Sequence, residues 1–190
     1  IPGSIFNLTE KNSVANSFLA ELRNINVQKD RMRFRCNLER VGEVLAYEIS
    51  QTLRYAGADI ETPLGISSTA LPAQRIVLAT ILRAGLPLHQ GLLNYFDQAD
   101  NAFVSAYRRQ HKDGSFTIQL DYISTPDLDN SVLILADPML ATGGSAVSAV
   151  DFIKQHGGKK IKFMAIIAAP EGLERLHKAH PDIQIYVGHL

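Results

Sequence analysis

A short, wholly apolar segment, followed at once by an acid, a proline and a pair of glycines, limits most strongly what this chain can fold into. Residues 132–136 read Val-Leu-Ile-Leu-Ala, which is typical of a parallel strand buried on both faces. Asp137 and Pro138 end the strand, and residues 142–145 (Thr-Gly-Gly-Ser) lead into a segment with apolar side chains at every third position over 147–153. The pattern predicts an α/β fold.

The loop between this strand and helix has the composition of a phosphate site. Its glycines let the backbone approach an anion, Thr142 and Ser145 can donate hydroxyl hydrogen bonds, and a helix start favours negative charge. Asp137 would repel a phosphate, so its useful partner is a sugar diol or a metal ion. Together these groups suit a ribose 5-phosphate, although a simple helix cap in a tight turn explains the loop residues equally well.

A second strand has an arginine at its end. Residues 75–82 form a buried apolar run, followed by Arg83, Ala84 and Gly85 and by a helical pattern over 86–96. A guanidinium at this position is placed to bind a second anion, which ribose 5-phosphate alone would not need. A solvated surface arginine is the open alternative.

A third strand carries a basic segment. Residues 101–107 are predicted as a strand, 108–114 as a mobile basic loop, and 117–123 as the returning strand of a hairpin. Positive side chains beside an anion site could bind the anion, but the side chains of a basic loop are also commonly only solvated.

The rest of the chain completes an alternation of helices and strands. We predict helices over 12–22, capped by Asn12 or Ser13, and over 30–55, with Asp30 as N-cap and Gly57 as stop. Further predicted segments are an irregular N-terminal arm (1–11), a connection with at most a short edge hairpin (57–74), strands at 159–169 and 183–187, and a helix at 170–179. Such alternation indicates a mainly parallel sheet with right-handed crossovers.

Composition excludes several classes of function. The 19 basic residues balance the 19 acidic ones, so the chain has no net positive charge that would attract nucleic acid or an anionic membrane. No apolar run reaches the roughly 18 to 20 residues of a membrane-spanning helix. The single cysteine, Cys36, allows neither an intrachain disulfide nor a thiolate metal cluster, consistent with a reducing cytoplasm. His177 and His180 are interpreted as surface residues, and residues 1–190 as one domain.

Several motifs together resemble one family, the uracil phosphoribosyltransferases. Residues 137–145 (Asp-Pro-Met-Leu-Ala-Thr-Gly-Gly-Ser) resemble its signature for 5-phosphoribosyl 1-diphosphate (PRPP), and 81–85 (Ile-Leu-Arg-Ala-Gly) its pyrophosphate loop. Tyr107 and Arg108 match a paired Tyr-Arg in the loop that closes over pyrophosphate. Generic type I phosphoribosyltransferases have two adjacent acids where this chain has Asp137-Pro138, and the uracil branch shares that departure. Weaker similarities occur at 33–35, 45–48, 168–172 and 178–182.

The resemblance implies a type I phosphoribosyltransferase fold and transfer of phosphoribosyl from PRPP to uracil, giving UMP and diphosphate. It implies catalytic roles for Arg83, Arg108 and Asp137, with Mg²⁺ held largely by the substrate. It also implies a larger PRPP-binding set, which adds Ala84, Gly85, Tyr107, Pro138, Met139, Leu140, Ala141, Thr142, Gly143, Gly144 and Ser145. Arg109 and Lys112 are weaker candidates. A homodimer or higher homo-oligomer is implied, and activation by GTP in some members.

The ends of the chain depart from the family. Its enzymes continue with a Gly-Leu-Gly-Asp-Ala-Gly-Asp type of motif that recognises uracil, and nothing in residues 1–190 matches it. We therefore expect this C-terminal segment, and the natural beginning before Ile1, to lie outside the chain; a natural loss of the C-terminal segment is the open alternative. A phosphoribosyltransferase for another base and a non-catalytic nucleotide-sensing module of the same fold remain alternatives. A flavodoxin-like protein would not explain residues 81–85.

Overall fold

The computed structural model describes residues 4–190, and for Arg108, Phe116 and residues 121–123 it describes the backbone alone. The helices are α1 (Ala15–Arg23), α2 (Arg31–Ser50), α3 (Leu86–Tyr95), α4 (Gly144–Gln155) and α5 (Pro170–Ala179). The strands are β1 (Ile5–Asn7), β2 (Tyr55–Thr62), β3 (Gly65–Pro72), β4 (Arg75–Leu82), β5 (Asp100–Gln110), β6 (Phe116–Ser124), β7 (Ser131–Ala136), β8 (Met139–Leu140), β9 (Lys160–Ala168) and β10 (Gln184–His189).

One large sheet organises the fold. Its strand order is β1-β10-β9-β7-β4-β5-β6, with the short β8 paired to β9. Every pairing in it is parallel except that of β5 with β6. The central β7 is buried along its whole length, and so is nearly all of β4. The predicted mainly parallel α/β sheet is confirmed.

Helices cover both faces of this sheet and create two cores. Residues of α4 and α5 pack on one face, where Phe163 and Leu135 are fully buried. Residues of α1, α2 and α3 pack on the other, around Leu45 and Leu78. A strand between two such layers has no polar face, which explains the continuous apolar run at 132–136.

Helix α2 begins as predicted but ends earlier. The Asp30 carboxylate accepts a hydrogen bond of 3.0 Å from the Arg33 N–H, so it is the N-cap. The helix ends at Ser50, and the prediction that it reaches 55 and stops at Gly57 is wrong. The Thr52 hydroxyl donates to the Ile49 carbonyl at 2.7 Å and terminates the last turn. Leu53 continued the apolar spacing because it is buried in the same core without being helical.

The segment 57–74 is more ordered than predicted. Strands β2 and β3 have eight residues each and pair in an unbroken antiparallel register from Tyr55–Pro72 to Thr62–Gly65. This β2–β3 hairpin is a separate two-stranded sheet, and all of β3 is exposed. Exposure on both faces removes the alternation by which strands are recognised in a sequence.

Other element boundaries also differ from the predicted ones. The first three residues of the segment predicted as a basic loop over 108–114 belong to strand β5, which extends to Gln110, and the chain turns before β6 begins at Phe116. Helix α1 begins at Ala15, not Asn12, and the Ser13 hydroxyl accepts a hydrogen bond from the Ala15 N–H at 3.2 Å. The N-terminal arm contains β1, which adds parallel to β10. Residues 1–3 of the predicted arm lie outside the described residues.

The prediction that His180 is a surface residue is wrong. Its side chain is buried, with Nε2 2.9 Å from the Asp151 carboxylate and Nδ1 3.1 Å from the Lys154 ammonium. Over residues 4–190, no helix combines the length and apolar character needed to cross a membrane.

Helices α2 and α3 pack through glycines, which gives a test of the fold. A Cβ added at Gly91 would collide with the backbone carbonyl of Glu39 in α2. We expect Gly91→Ala to lower the free energy of unfolding by about 1–3 kcal/mol, despite the better helix propensity of alanine. Urea unfolding would measure this. Gly57→Ala, where a Cβ meets nothing within 4 Å, is the matched control; equal stability of the two variants would contradict the packing argument.

Candidate active site

The carboxyl ends of β4 and β7 bring the two main sequence motifs together. These strands are parallel neighbours, with Thr80 opposite Ala136. The Arg83–Gly85 turn and Asp137 therefore follow adjacent strands at the same edge of the sheet. Ligands of open parallel sheets bind at this edge, so the juxtaposition supports a shared site.

The segment after Asp137 is a loop held by backbone pairing. The Pro138 carbonyl accepts hydrogen bonds from the N–H groups of Ile166 and Ile167, and Leu140 pairs with Ala168. Strand β8 thus extends the sheet after Pro138 has ended β7. The chain leaves this strand with Ala141 and Thr142 exposed.

Two glycines shape the start of helix α4. Gly143 is its N-cap and has φ of 80°, a conformation that disfavours residues with a Cβ. Its carbonyl accepts the first helical hydrogen bond, from the Val147 N–H at 2.9 Å. The cap has no side-chain hydrogen bond, so the first N–H groups of the helix retain the capacity to bind an anion.

Helix α5 packs directly against the same loop. A Cβ at Gly172 would collide with the Ala141 carbonyl, and one at Gly143 would lie 2.8 Å from the Gly172 carbonyl. Only glycine allows this approach without moving backbone atoms. Residues 141–143 therefore lie close against α5, directly after residues 138–140 have paired with β9.

Asp137 occupies an environment that disfavours its charge. Burial raises the pKa of its carboxyl group to about 6, although a hydrogen bond from the Met139 N–H opposes the shift. That bond is long, at 3.5 Å between Met139 N and Asp137 Oδ1. A carboxyl group destabilised in this way is a functional candidate, because a ligand that pairs with it restores the charged form.

The β5–β6 hairpin reaches the 142–145 loop. A Cβ at Gly144 would lie 2.9 Å from Cδ1 of Ile118, and Ile118 is the register partner of Arg108. The backbone of Arg108 is therefore one strand away from the α4 start, while the Arg108 side chain lies outside the described residues. Tyr107, with 41% of its surface exposed, is adjacent on β5.

The Arg83 turn is compact beneath an exposed side chain. Arg83 and Ala84 are exposed, and Gly85 is buried. A Cβ at Gly85 would lie 2.7 Å from the Ile81 carbonyl. The Leu82–Arg83 peptide bond is cis. The turn leads into α3, whose first turn includes a hydrogen bond from His89 N–H to the Gly85 carbonyl at 2.9 Å.

His89 is a buried polar residue behind this turn that the sequence analysis missed. Its Nδ1 lies 2.6 Å from the Thr80 hydroxyl and its Nε2 2.7 Å from the Asn101 amide oxygen. Burial lowers the pKa of His89, with the Asn101 hydrogen bond opposing this. Because the Asn101 amide oxygen can only accept, a neutral ring with its proton on Nε2 satisfies both contacts, and its Nδ1 then accepts from the Thr80 hydroxyl. The sequence signal was one histidine within an apolar helical pattern.

The described residues contain no group of three or more His, Cys, Asp or Glu side chains arranged to hold a metal ion. Asp137, directly after β7, contributes one carboxyl group. This donor set suits an ion such as Mg²⁺ that takes most of its ligands from phosphates and water.

Comparison with known proteins gives the family of the chain. The family profile described as "Uracil phosphoribosyltransferase" matches residues 9–190. The uracil phosphoribosyltransferase of Porphyromonas gingivalis is 45% identical over 179 residues, covering 94% of this chain and 83% of that protein. That of Staphylococcus aureus (strain Newman) is 36% identical over 175 residues, covering 90% of this chain and 81% of that protein.

Solved structures support the fold. The AQ2163 protein from Aquifex aeolicus superposes with a TM-score of 0.85 at 28% identity, covering 97% of this chain and 86% of that one. A purine phosphoribosyltransferase from Pyrococcus horikoshii has a TM-score of 0.54 at 15% identity, covering 81% of this chain and 86% of that one, a likeness of fold alone. The chain belongs to the uracil phosphoribosyltransferase family.

Proposed function

We propose that this chain transfers the phosphoribosyl group from PRPP to uracil, producing UMP and diphosphate in pyrimidine salvage. Membership of the family supports the reaction. The observation that carries the proposal is the arrangement of Asp137 and the 142–145 loop at the end of β7, directly before the start of α4. That arrangement offers a place for a sugar diol next to a place for a phosphate.

The loop would hold the 5-phosphate of the substrate. The phosphate oxygens would accept hydrogen bonds from the N–H groups at the start of α4 and from the hydroxyls of Thr142 and Ser145. The exposed Thr142 and the partly exposed Ser145 leave both hydroxyls accessible. Binding the phosphate here orients the ribose for in-line displacement at its C1 atom.

The leaving group would be stabilised from the neighbouring strands. As the C1–oxygen bond breaks and a bond from a uracil nitrogen to C1 forms, that nitrogen loses its proton to water and negative charge develops on diphosphate. We assign Arg83, with Ala84 and Gly85 of its turn, and Tyr107 and Arg108 of β5 to this diphosphate. Mg²⁺, held mainly by substrate oxygens and water, would supply further neutralisation of that charge.

Asp137 would bind the ribose hydroxyls on the other side of the reacting carbon. In its ionised form it accepts hydrogen bonds from the diol, and its negative charge favours the cationic character that develops at the sugar. Residues 138–141 would bring the loop close to the ribose. No protein nucleophile is required, since a nitrogen of the base attacks.

The direct experiment is diphosphate release from PRPP with Mg²⁺ and a panel of bases, run on this chain and on the gene's full-length product. We expect the full-length product to release diphosphate with uracil and not with adenine, guanine or hypoxanthine, because nothing in residues 1–190 matches the family's uracil-recognising motif. Release with another base would favour a different phosphoribosyltransferase. Tight PRPP binding with no release in either protein would favour a nucleotide-sensing module.

We also propose that GTP is an effector, so the panel is run with and without GTP. We propose the cytoplasm as the compartment of the protein.

Substitution of Arg83 tests the diphosphate assignment. We expect Arg83→Ala to lower kcat by roughly 100-fold or more and to weaken inhibition by diphosphate, because a charge-assisted contact to the leaving group is lost. Product inhibition by UMP should change far less. Lys29→Ala, at an exposed residue directly before the N-cap of α2, is the control for loss of one positive charge. Equal losses of UMP and diphosphate binding would contradict the assignment.

Asp137 links the site to stability. Its raised pKa means that the folded state holds a proton more tightly than the unfolded chain, so the contribution to stability is present below pH 3.8 and is lost as the pH rises through about 6. We expect Asp137→Asn to raise the free energy of unfolding by about 3 kcal/mol above pH 7, with little gain near pH 4, while abolishing most activity.

Urea unfolding of both proteins between pH 4 and 8 would measure this difference. Subtracting the two curves removes the contribution of His89, which is common to both. A difference that does not depend on pH would show that the carboxyl group is not destabilised by its surroundings.

The β2–β3 hairpin supports our proposal of a homo-oligomer. A two-stranded hairpin is marginally stable alone. This one exposes Ile60, Leu64, Ile66 and Leu71, with Leu64 fully exposed at the turn. A second copy of the chain, covering these apolar side chains, would supply the missing packing.

Charge at the hairpin should therefore disrupt assembly. We expect Leu64→Glu to shift a dimer, measured by sedimentation velocity, toward monomer by roughly tenfold in dissociation constant. Because Leu64 is fully exposed in the single chain, its replacement should leave monomer folding intact. Ile25→Glu, at an exposed apolar residue outside the hairpin, is the control. An unchanged dimer in Leu64→Glu would contradict this interface.

A further inference from the structure

Arg175, on the face of α5 that meets the 142–145 loop, has no role in the sequence motifs. It lies one turn beyond Gly172, the residue that packs against Ala141. Arg175 Cβ lies 3.4 Å from where a Cβ of Gly143 would be, and its Nη1 lies 3.6 Å from that position at Gly144. The side chain therefore runs along the two glycines at the start of α4.

The guanidinium group makes only a weak contact there. Its Nη1 donates to the Thr142 carbonyl at 3.4 Å. Among the described residues, no carboxylate lies within 4.0 Å of it, although Arg33, Arg75 and Lys154 have such partners. A guanidinium carries several N–H donors in a fork that matches phosphate oxygens. Most of these donors remain available to a ligand, because the side chain is exposed.

The start of α4 also favours an anion. The first turn of α4 contains no acidic residue, and the start of a helix carries a partial positive charge. A full positive charge beside it adds to the attraction for a phosphate dianion. The loop itself supplies only hydrogen bonds and dipoles. A cation beside it would therefore strengthen phosphate binding through a charge-assisted hydrogen bond.

We infer that Arg175 is a substrate-binding residue that contacts the 5-phosphate of the phosphoribosyl group. The inference rests on the proposed function, since it takes the α4 start as the 5-phosphate site. Helix α5 then has two tasks: Gly172 holds the loop in place, and Arg175 completes the phosphate site. Diphosphate, assigned to Arg83 on the neighbouring strand, does not involve Arg175.

The test uses two probes that separate these ends of the site. Ribose 5-phosphate carries only the phosphate that Arg175 would contact, and inorganic diphosphate carries only the leaving group. We expect Arg175→Met, which keeps the aliphatic stem against Gly143, to weaken binding of ribose 5-phosphate by roughly tenfold. Inhibition by diphosphate should remain within about twofold of the parent chain, and the KM for PRPP should rise.

Three further variants distinguish charge from loop support. Arg175→Lys should recover most of the affinity for ribose 5-phosphate. Arg175→Gln keeps an N–H donor toward the Thr142 carbonyl but no charge, and should bind as weakly as Arg175→Met. Lys178→Met, which removes an exposed charge further along α5, should bind like the parent chain.

The inference is overturned if Arg175→Gln regains full affinity, if ribose 5-phosphate binds Arg175→Met as tightly as the parent chain, or if diphosphate binding falls equally. The same assay on the parent chain keeps the proposed function separate: uracil-dependent release of diphosphate tests the reaction, whereas the contrast between the two probes tests Arg175.

Discussion

The structure of the site depends on one close approach of backbone to backbone. At Gly172, helix α5 comes so near the 141–143 segment that a single added carbon would collide with the Ala141 carbonyl. On the other side, hydrogen bonds to β9 hold residues 138–140. A loop clamped in this way presents its N–H groups in a fixed arrangement, and a preorganised site loses little conformational entropy when its ligand binds.

Around this clamp, the sheet sorts the chemistry by strand. Asp137 follows β7 and the Arg83 turn follows the neighbouring β4. Ile118 of β6 lies against Gly144 at the start of α4. Buried layers of apolar side chains on both faces make these strand ends rigid. The functional groups occupy exposed or partly exposed positions at one edge, while the stability of the fold comes from residues beneath them.

Sequence reasoning predicted what local patterns determine. A wholly apolar strand, an Asp cap and a glycine-rich turn have physical signatures within a few residues, and β7, the start of α2 and the loop before α4 were found in this way. Long-range contacts have no such signature. The burial of His180 depends on Asp151 and Lys154 in α4, and that of His89 on Thr80 and Asn101 from two different strands. Arg175 is likewise adjacent to the loop only after α5 has packed, since 33 residues separate it from Thr142.

The pairing of β1 with β10 has a consequence for how the chain acquires its structure. Ile5 is the register partner of Ile185, and Thr9 contacts His189 through a 2.9 Å hydrogen bond between side chains. During synthesis from the N-terminus, the first strand emerges long before its partner exists. This edge of the sheet can close only when nearly the whole length of residues 4–190 is available, so closure carries a large loop entropy and comes late. Until then, the exposed edges of β1 and β10 are open to pairing with other chains.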